Sequence, residues 1–221
     1  MVQELVQQEQ LHLGTADNII INGGRIIARG GVHGPGIGGG ANIKDLSSLK
    51  ILGGSVYATG GAYGKPYYND YAAAIGAGIK NIIIEGGTII TDSKAYAGIF
   101  GSQDNNVIIT GGNLKLGGVG EIGVLDSNKE FVKGFAKNNE SKVYKTQLKL
   151  QDVGENTKIE NITTSDNISY GIKDMNTMED GMLYLYLPLG KREITIKVKG
   201  KTYKGEVETT EEEHNTILNE I

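Results

Sequence analysis

The chain has 221 residues, a formal net charge of −4, 34 glycines, no tryptophan and no cysteine. That length leaves room for two ordinary domains, and mild acidity without a basic run argues against a nucleic-acid partner. Without cysteine there is no disulfide, thiol catalysis or cysteine metal site, and no apolar run approaches the ~20 residues of a membrane-spanning helix.

Residues 2–11 read as a short helix, with Val2, Leu5 and Val6 on one side. Residues 1–12 are therefore assigned as an N-terminal cap. Beyond them a glycine pair returns four times between short aliphatic runs: Gly23-Gly24, Gly53-Gly54, Gly86-Gly87 and Gly111-Gly112, spaced by 30, 33 and 25 residues. A variable period of this size, built on β-branched residues, marks a solenoid whose loops differ in length. Aligning the copies stacks Ile19, Leu49, Ile82 and Val107, and likewise Ile21, Ile51, Ile84 and Ile109. After the glycines come Ile26, Val56, Ile89, Leu114 and Ala28, Ala58, Thr91, Leu116. Residues two apart on a strand share a face, so these columns are expected to point inward.

Arg25, Ser55, Thr88 and Asn113 then fall on the outer face with Asn22, Leu52, Glu85 and Thr110. Two outer columns are less polar than water-facing columns should be: Ile20, Lys50, Ile83, Ile108 and Ile27, Tyr57, Ile90, Lys115. They read either as tolerated exposed aliphatics or as a face for a partner. Shorter Gly-Ile-Gly clusters supply a third side, with Ile37, Ile75, Ile99 and Ile122 inward. The expected fold class is all-β: a short right-handed β-helix (solenoid) over residues 13–124, followed by a small antiparallel β-sandwich.

The cluster from Gly34 to Gly40 is not read as a phosphate loop, because a polar segment and another strand follow it rather than a helix. The most site-like stretch is the insertion holding Tyr63, Lys65, Tyr67, Tyr68, Asn69, Asp70 and Tyr71, with His33 on the equivalent loop one coil earlier. Tyrosine offers a flat apolar face to a sugar ring, while Asn and Asp bind its hydroxyls. The alternative is a loop folded over the solenoid wall with its tyrosines half-buried.

Residues 125–142 lose glycine and gain charge, and read as cap and linker, with Phe131, Val132 and Phe135 closing the solenoid's lower end. Period-2 runs at residues 144–150, 158–162, 182–187, 193–198 and 201–207 predict an Ig-like β-sandwich over residues 143–209. Glu179-Asp180-Gly181 and Lys199-Gly200 are hairpin turns by residue type. Residues 210–221, with acids first and then Ile217, Leu218 and Ile221 at helical spacing, predict a short helix or linker.

The unit at residues 21–40 and 51–78 resembles the glycine-rich β-strand repeats (GIGGG type) of large surface proteins of Gram-positive bacteria, chiefly clostridial and related gut species. Residues 98–102 and 121–124 depart from that pattern at Phe100, Glu121 and Val124, as a terminal coil would. Tyr170-Gly171-Ile172-Lys173-Asp174, with residues 180–188 and 201–205, resembles the small Ig-like or prealbumin-like β-domain that follows such repeats. The resemblance implies a non-catalytic module of an extracellular, cell-surface protein, cut from a longer exported chain, that adheres or binds carbohydrate through the solenoid wall and the tyrosine-rich loop.

Host or cell-wall glycan, or a protein receptor, is the expected partner. No cofactor, metal, nucleic acid or membrane span is expected. Two rivals stand beside this reading. One is a structural stalk or phage tail or spike component. The other is a β-helix polysaccharide lyase or hydrolase, which needs paired carboxylates that the scattered acids do not suggest.

Overall fold

The structure, a computed structural model, describes residues 18–31, 34–39, 46–61, 73–76, 79–93, 97–101, 107–118, 120–125, 131–138, 140–212 and 214–221. It is all-β, with several sheets, and holds no helix long and apolar enough to cross a membrane among the described residues.

Three parallel ladders run through the repeats. The first joins β1 (Asn18–Ile21), β4 (Leu46–Ile51), β7 (Ile79–Ile84) and β10 (Val107–Ile109). The second joins β2 (Arg25–Arg29), β5 (Ser55–Thr59), β8 (Thr88–Asp92) and β11 (Asn113–Leu116). The third joins the short β3 (Ile37–Gly38), β6 (Ile75–Gly76), β9 (Ala97–Phe100) and β12 (Gly120–Leu125). Register follows the aligned columns throughout: Ile19 faces Leu49, Ile26 faces Val56, and Ile37 faces Ile75.

Each corner between the first two ladders needs a left-handed residue. The second glycine supplies it, with φ of 84°, 98°, 95° and 90° at Gly24, Gly54, Gly87 and Gly112. Hydrogen bonding continues round the bend. The amides of Ser55 and Thr88 donate to the carbonyls of Gly24 and Gly54 at 2.8 Å. Leu49, Ile51, Ile82, Ile84, Ile89, Ile109 and Leu114 are all buried in one cluster, each worth about 1.5–3 kcal/mol of apolar burial. In the first repeat Ile19, Ile26 and Ile37 are only partly buried, since no described strand lies beyond them.

At the lower end Val132 departs from the expected cap, while the side chain of Phe131 lies outside the described residues. β13 (Phe131–Lys133) pairs antiparallel with β12, and β14 (Ala136–Asn138) pairs parallel with β10. Ala136, Val143 and Tyr186 join the core there. Val132 is 38% exposed. Phe135 stays half-buried, with the ammonium of Lys142 4.4 Å from its ring centroid. Phe100, which departs from the repeat pattern, stays within β9 and packs in a small buried cluster with Ala73 and Ala97.

The second unit comprises β15 (Ser141–Leu150), β16 (Ile159–Thr164), β17 (Met182–Leu187), β18 (Gly190–Val198), β19 (Lys201–Thr209) and β20 (Asn215–Glu220). Its strands follow one hydrogen-bonded path, β17-β15-β20-β19-β18-β16, and β14 also pairs with β15, joining this unit to the first ladder. Two expectations are corrected here. The predicted helix near the chain's last residues is β20, parallel to β15 and antiparallel to β19, so the unit is mixed rather than antiparallel. Only Leu218 of β20 is fully buried, and strand pairing overrides the helical spacing. Glu179–Gly181 is a 3₁₀ turn rather than a hairpin, because β17 pairs with the distant β15. The hairpin at Lys199 and Gly200 has the positive φ pair, 50° and 73°, that a tight β18–β19 turn requires.

Between β16 and β17, residues 170–173 cross the column of Gly-Gly corners as a strap that ends in a turn at Lys173 and Asp174. The Gly112 amide donates to the Gly171 carbonyl (2.8 Å), the Gly87 amide to the Lys173 carbonyl (2.7 Å), and the Gly171 amide to the Thr110 carbonyl (2.9 Å). Backbone approach is so close that a Cβ on Gly171 would lie 1.7 Å from the Glu85 carbonyl oxygen. Further up, side chains replace the main chain: Lys173 donates to the Asn22 side chain, and Asp174 overlies the Gly23 and Gly53 corners.

Candidate functional site

The tyrosine-rich stretch singled out from sequence (Tyr63, Lys65, Tyr67, Tyr68, Asn69, Asp70, Tyr71) lies outside the described residues, as does His33. Gly61 lies two residues beyond Thr59, the last residue of β5, which is an inner strand of the second ladder. The second ladder forms a wall beside that point.

Strand alternation puts three rows of side chains on the outside of this wall. Arg25, Ser55, Thr88 and Asn113 share one register; Ile27, Tyr57, Ile90 and Lys115 the next; Arg29, Thr59 and Asp92 the third. The middle row is apolar at its upper end, with Tyr57 37% exposed between half-buried Ile27 and Ile90. Polar rows flank it on both sides. Adjacent strands are ~4.8 Å apart and alternate residues ~6.6 Å apart, so the open upper part is a flat platform about the size of a few sugar rings.

The lower part of the same wall is covered by the second unit. Asn113 is fully buried and donates Nδ2 to the carbonyls of Asn176 (2.8 Å) and Met182 (3.2 Å), while its Oδ1 accepts from the Tyr184 amide at 2.7 Å. Thr88 accepts the Asn176 amide at 2.8 Å. Lys115 pairs with Glu179. That hydrogen bond holds the lysine's pKa above its ordinary value and the carboxyl below its own. Tyr170, buried, donates to the Gly112 carbonyl at 2.9 Å and accepts the Tyr186 amide at 3.1 Å, and burial pushes its hydroxyl pKa strongly upward.

Two clefts flank this junction. One, of about 750 Å³, is lined by Glu121, Phe135, Tyr144, Lys145, Tyr186 and Glu211. Its base is a closed network: Lys145 and Tyr186 both donate to the Glu121 carboxylate, the tyrosine at 2.9 Å. Burial, helped by Glu211 3.2 Å away, raises the Tyr144 pKa. The other cleft, of about 920 Å³, includes Glu85, Thr110, Glu140, Asp166, Ser169 and Gly171. Burial works against the Asp166 charge, but the Arg192 and Thr164 hydrogen bonds outweigh it and hold its pKa below the ordinary value. Arg192 is itself buried, donating to Asp166 at 2.9 Å and to Thr209 at 2.8 Å.

Among the described residues no three His, Cys, Asp or Glu side chains gather as a metal site would. Asp92, an acid noted from sequence, lies on the third row of the wall. Sequence reasoning marked the Tyr57 row only as oddly apolar; the four-column alignment held the signal, but not which end the second unit would cover.

No family model, curated protein or solved structure matches the chain.

Proposed function

We propose that the chain is a non-catalytic module of a bacterial cell-surface protein that binds carbohydrate on the upper part of its second ladder. In this reading the three ladders are the sides of a short right-handed β-solenoid. The following Ig-like or prealbumin-like unit, its sheet curled over its own core, clamps the lower coils and leaves the upper wall for a ligand. In this reading the tyrosine-rich insertion, which follows β5 of that wall in sequence, takes part in binding.

The observation that supports this reading is the outward grid centred on Tyr57: one apolar row with an aromatic ring, rimmed by hydroxyl, carboxylate and guanidinium groups. Such a surface matches the apolar face and polar edge of a pyranose. The test is a glycan array probed with the wild type, Tyr57→Ala and the Tyr67→Ala, Tyr68→Ala double variant. Binding that is lost in Tyr57→Ala while its thermal midpoint is kept supports the wall. An array on which the wild type binds nothing overturns the carbohydrate reading.

A second reading, assembly with other copies, draws on the first ladder, where Ile20 is 65% exposed above half-buried Ile83 and Ile108. A stalk or spike component would bury that column in an oligomer. Sedimentation giving a trimer that Ile20→Glu dissociates would favour it; a monomer at high concentration would exclude it.

A further inference from the structure

Resting on the carbohydrate reading above, we infer that the upper wall selects an acidic glycan, one bearing carboxylates, through Arg25 and Arg29. Both arginines are exposed, both lie on the outer side of β2, and neither has an ion-pair or hydrogen-bond partner among the described residues. They sit four residues apart, so their Cα atoms are separated by ~13 Å along the strand, one on each side of the Ile27–Tyr57 row. A sugar chain lying over Tyr57 therefore meets a guanidinium at either edge of the apolar row.

The chemistry favours carboxylate over a neutral ligand. A guanidinium has a planar fork that matches a carboxylate bidentately, and it is less strongly hydrated than an ammonium. Ser55 and Thr59, in register with the two arginines on the next strand, offer hydroxyls to sugar hydroxyl groups. Asp92 shares the Arg29 row two strands away, ~10 Å across the sheet, and would repel a carboxylate placed there. The acidic groups of the ligand are thereby directed to the β2 side. A chain with net charge −4 has no general attraction for polyanions, so local placement of these two cations must supply the selectivity.

The experiment is titration calorimetry of the full chain with hyaluronan oligosaccharides and with the same oligosaccharides after carboxyl reduction, in which each carboxylate is replaced by a neutral hydroxymethyl group. The acidic form is expected to bind roughly tenfold or more tightly, the order of one charge-assisted pair, and to weaken as salt is raised. The Arg25→Gln, Arg29→Gln double variant should lose that preference while keeping its thermal midpoint, and Tyr57→Ala should weaken both forms. Equal binding of the two forms, still dependent on Tyr57, would overturn the charge selection and leave the carbohydrate reading standing. Binding untouched by the arginine variant would overturn the assignment of these residues. Poly-glutamate binding as tightly as the acidic sugar would overturn the glycan class itself, and no binding of any ligand would overturn both readings.

Discussion

The upper and lower halves of the second ladder have the same backbone and opposite fates. In one outer row, Arg25 and Ser55 are exposed while Thr88 and Asn113 are buried, although all four occupy equivalent positions in successive coils. What separates them is the main chain of the strap together with β17, which bond to the third and fourth repeats, whereas only the side chains of Lys173 and Asp174 reach the corners of the first two. There the main chain leaves the glycine column: Asp174 adopts a left-handed φ of 53° and Met175 turns into the core of the second unit. A repeat can thus be uniform in its ladder and still differentiate its surface, because the partner is a few backbone groups at the corners.

The largest expected way to break this contrast is Gly171→Ala. Its methyl group would meet backbone at Glu85, which cannot move without disturbing the third coil. We expect a loss on the order of 4 kcal/mol, read by chemical denaturation, together with new proteolytic cleavage near the strap. Asn113→Ala comes next. It orphans the Tyr184 amide and removes both bonds from Nδ2, so about 2–4 kcal/mol should be lost in the same assay. Tyr170→Phe keeps the ring and removes one hydroxyl that bonds Gly112 and Tyr186, for roughly 1–3 kcal/mol.

Acid should act on the clamp. The carboxyls of Glu179 and Asp166 have folded-state pKa values below their ordinary ones. Their stabilisation is therefore present above the ordinary carboxylate pKa, near ~4, and is lost as pH falls through the lower folded values. Both side chains are substantially exposed, so solvent screens the effect and only a small decline is expected. A thermal-midpoint profile of Asp166→Asn should show a shallower acid limb than the wild type. Smallest of all, Ser55→Ala should change stability by no more than about 0.5 kcal/mol, although it sits in the same row as Asn113. A large loss there would mean that the upper wall is covered after all.

Much of the repeat array could be read from the sequence because its signal is local and repeated. Four glycine pairs mark four corners, and period 2 on either side assigns Leu49, Ile82 and Val56 to the inside. The chain end near residue 217 was misread for the converse reason. Helical spacing of three apolar residues is weak evidence, and the free position between β15 and β19 was invisible without the fold. The strap was visible as Tyr170-Gly171-Ile172-Lys173-Asp174, but only as a resemblance. Its role needs Gly111 and Gly86, which lie 60 and 85 positions earlier in the chain. Nothing in the sequence near Asn113 distinguishes it from Ser55.

Sequence alone therefore determined the strands of the repeats, their inward columns and their corners, since steric preference at glycine and alternation along a strand act between neighbours. Tertiary structure decided which outward residues remain available. Burial of Thr88 and Asn113, and the exposure left to Arg25, Arg29 and Tyr57, depend on where a distant segment finds unpaired backbone donors to satisfy, and that is a property of the assembled corners.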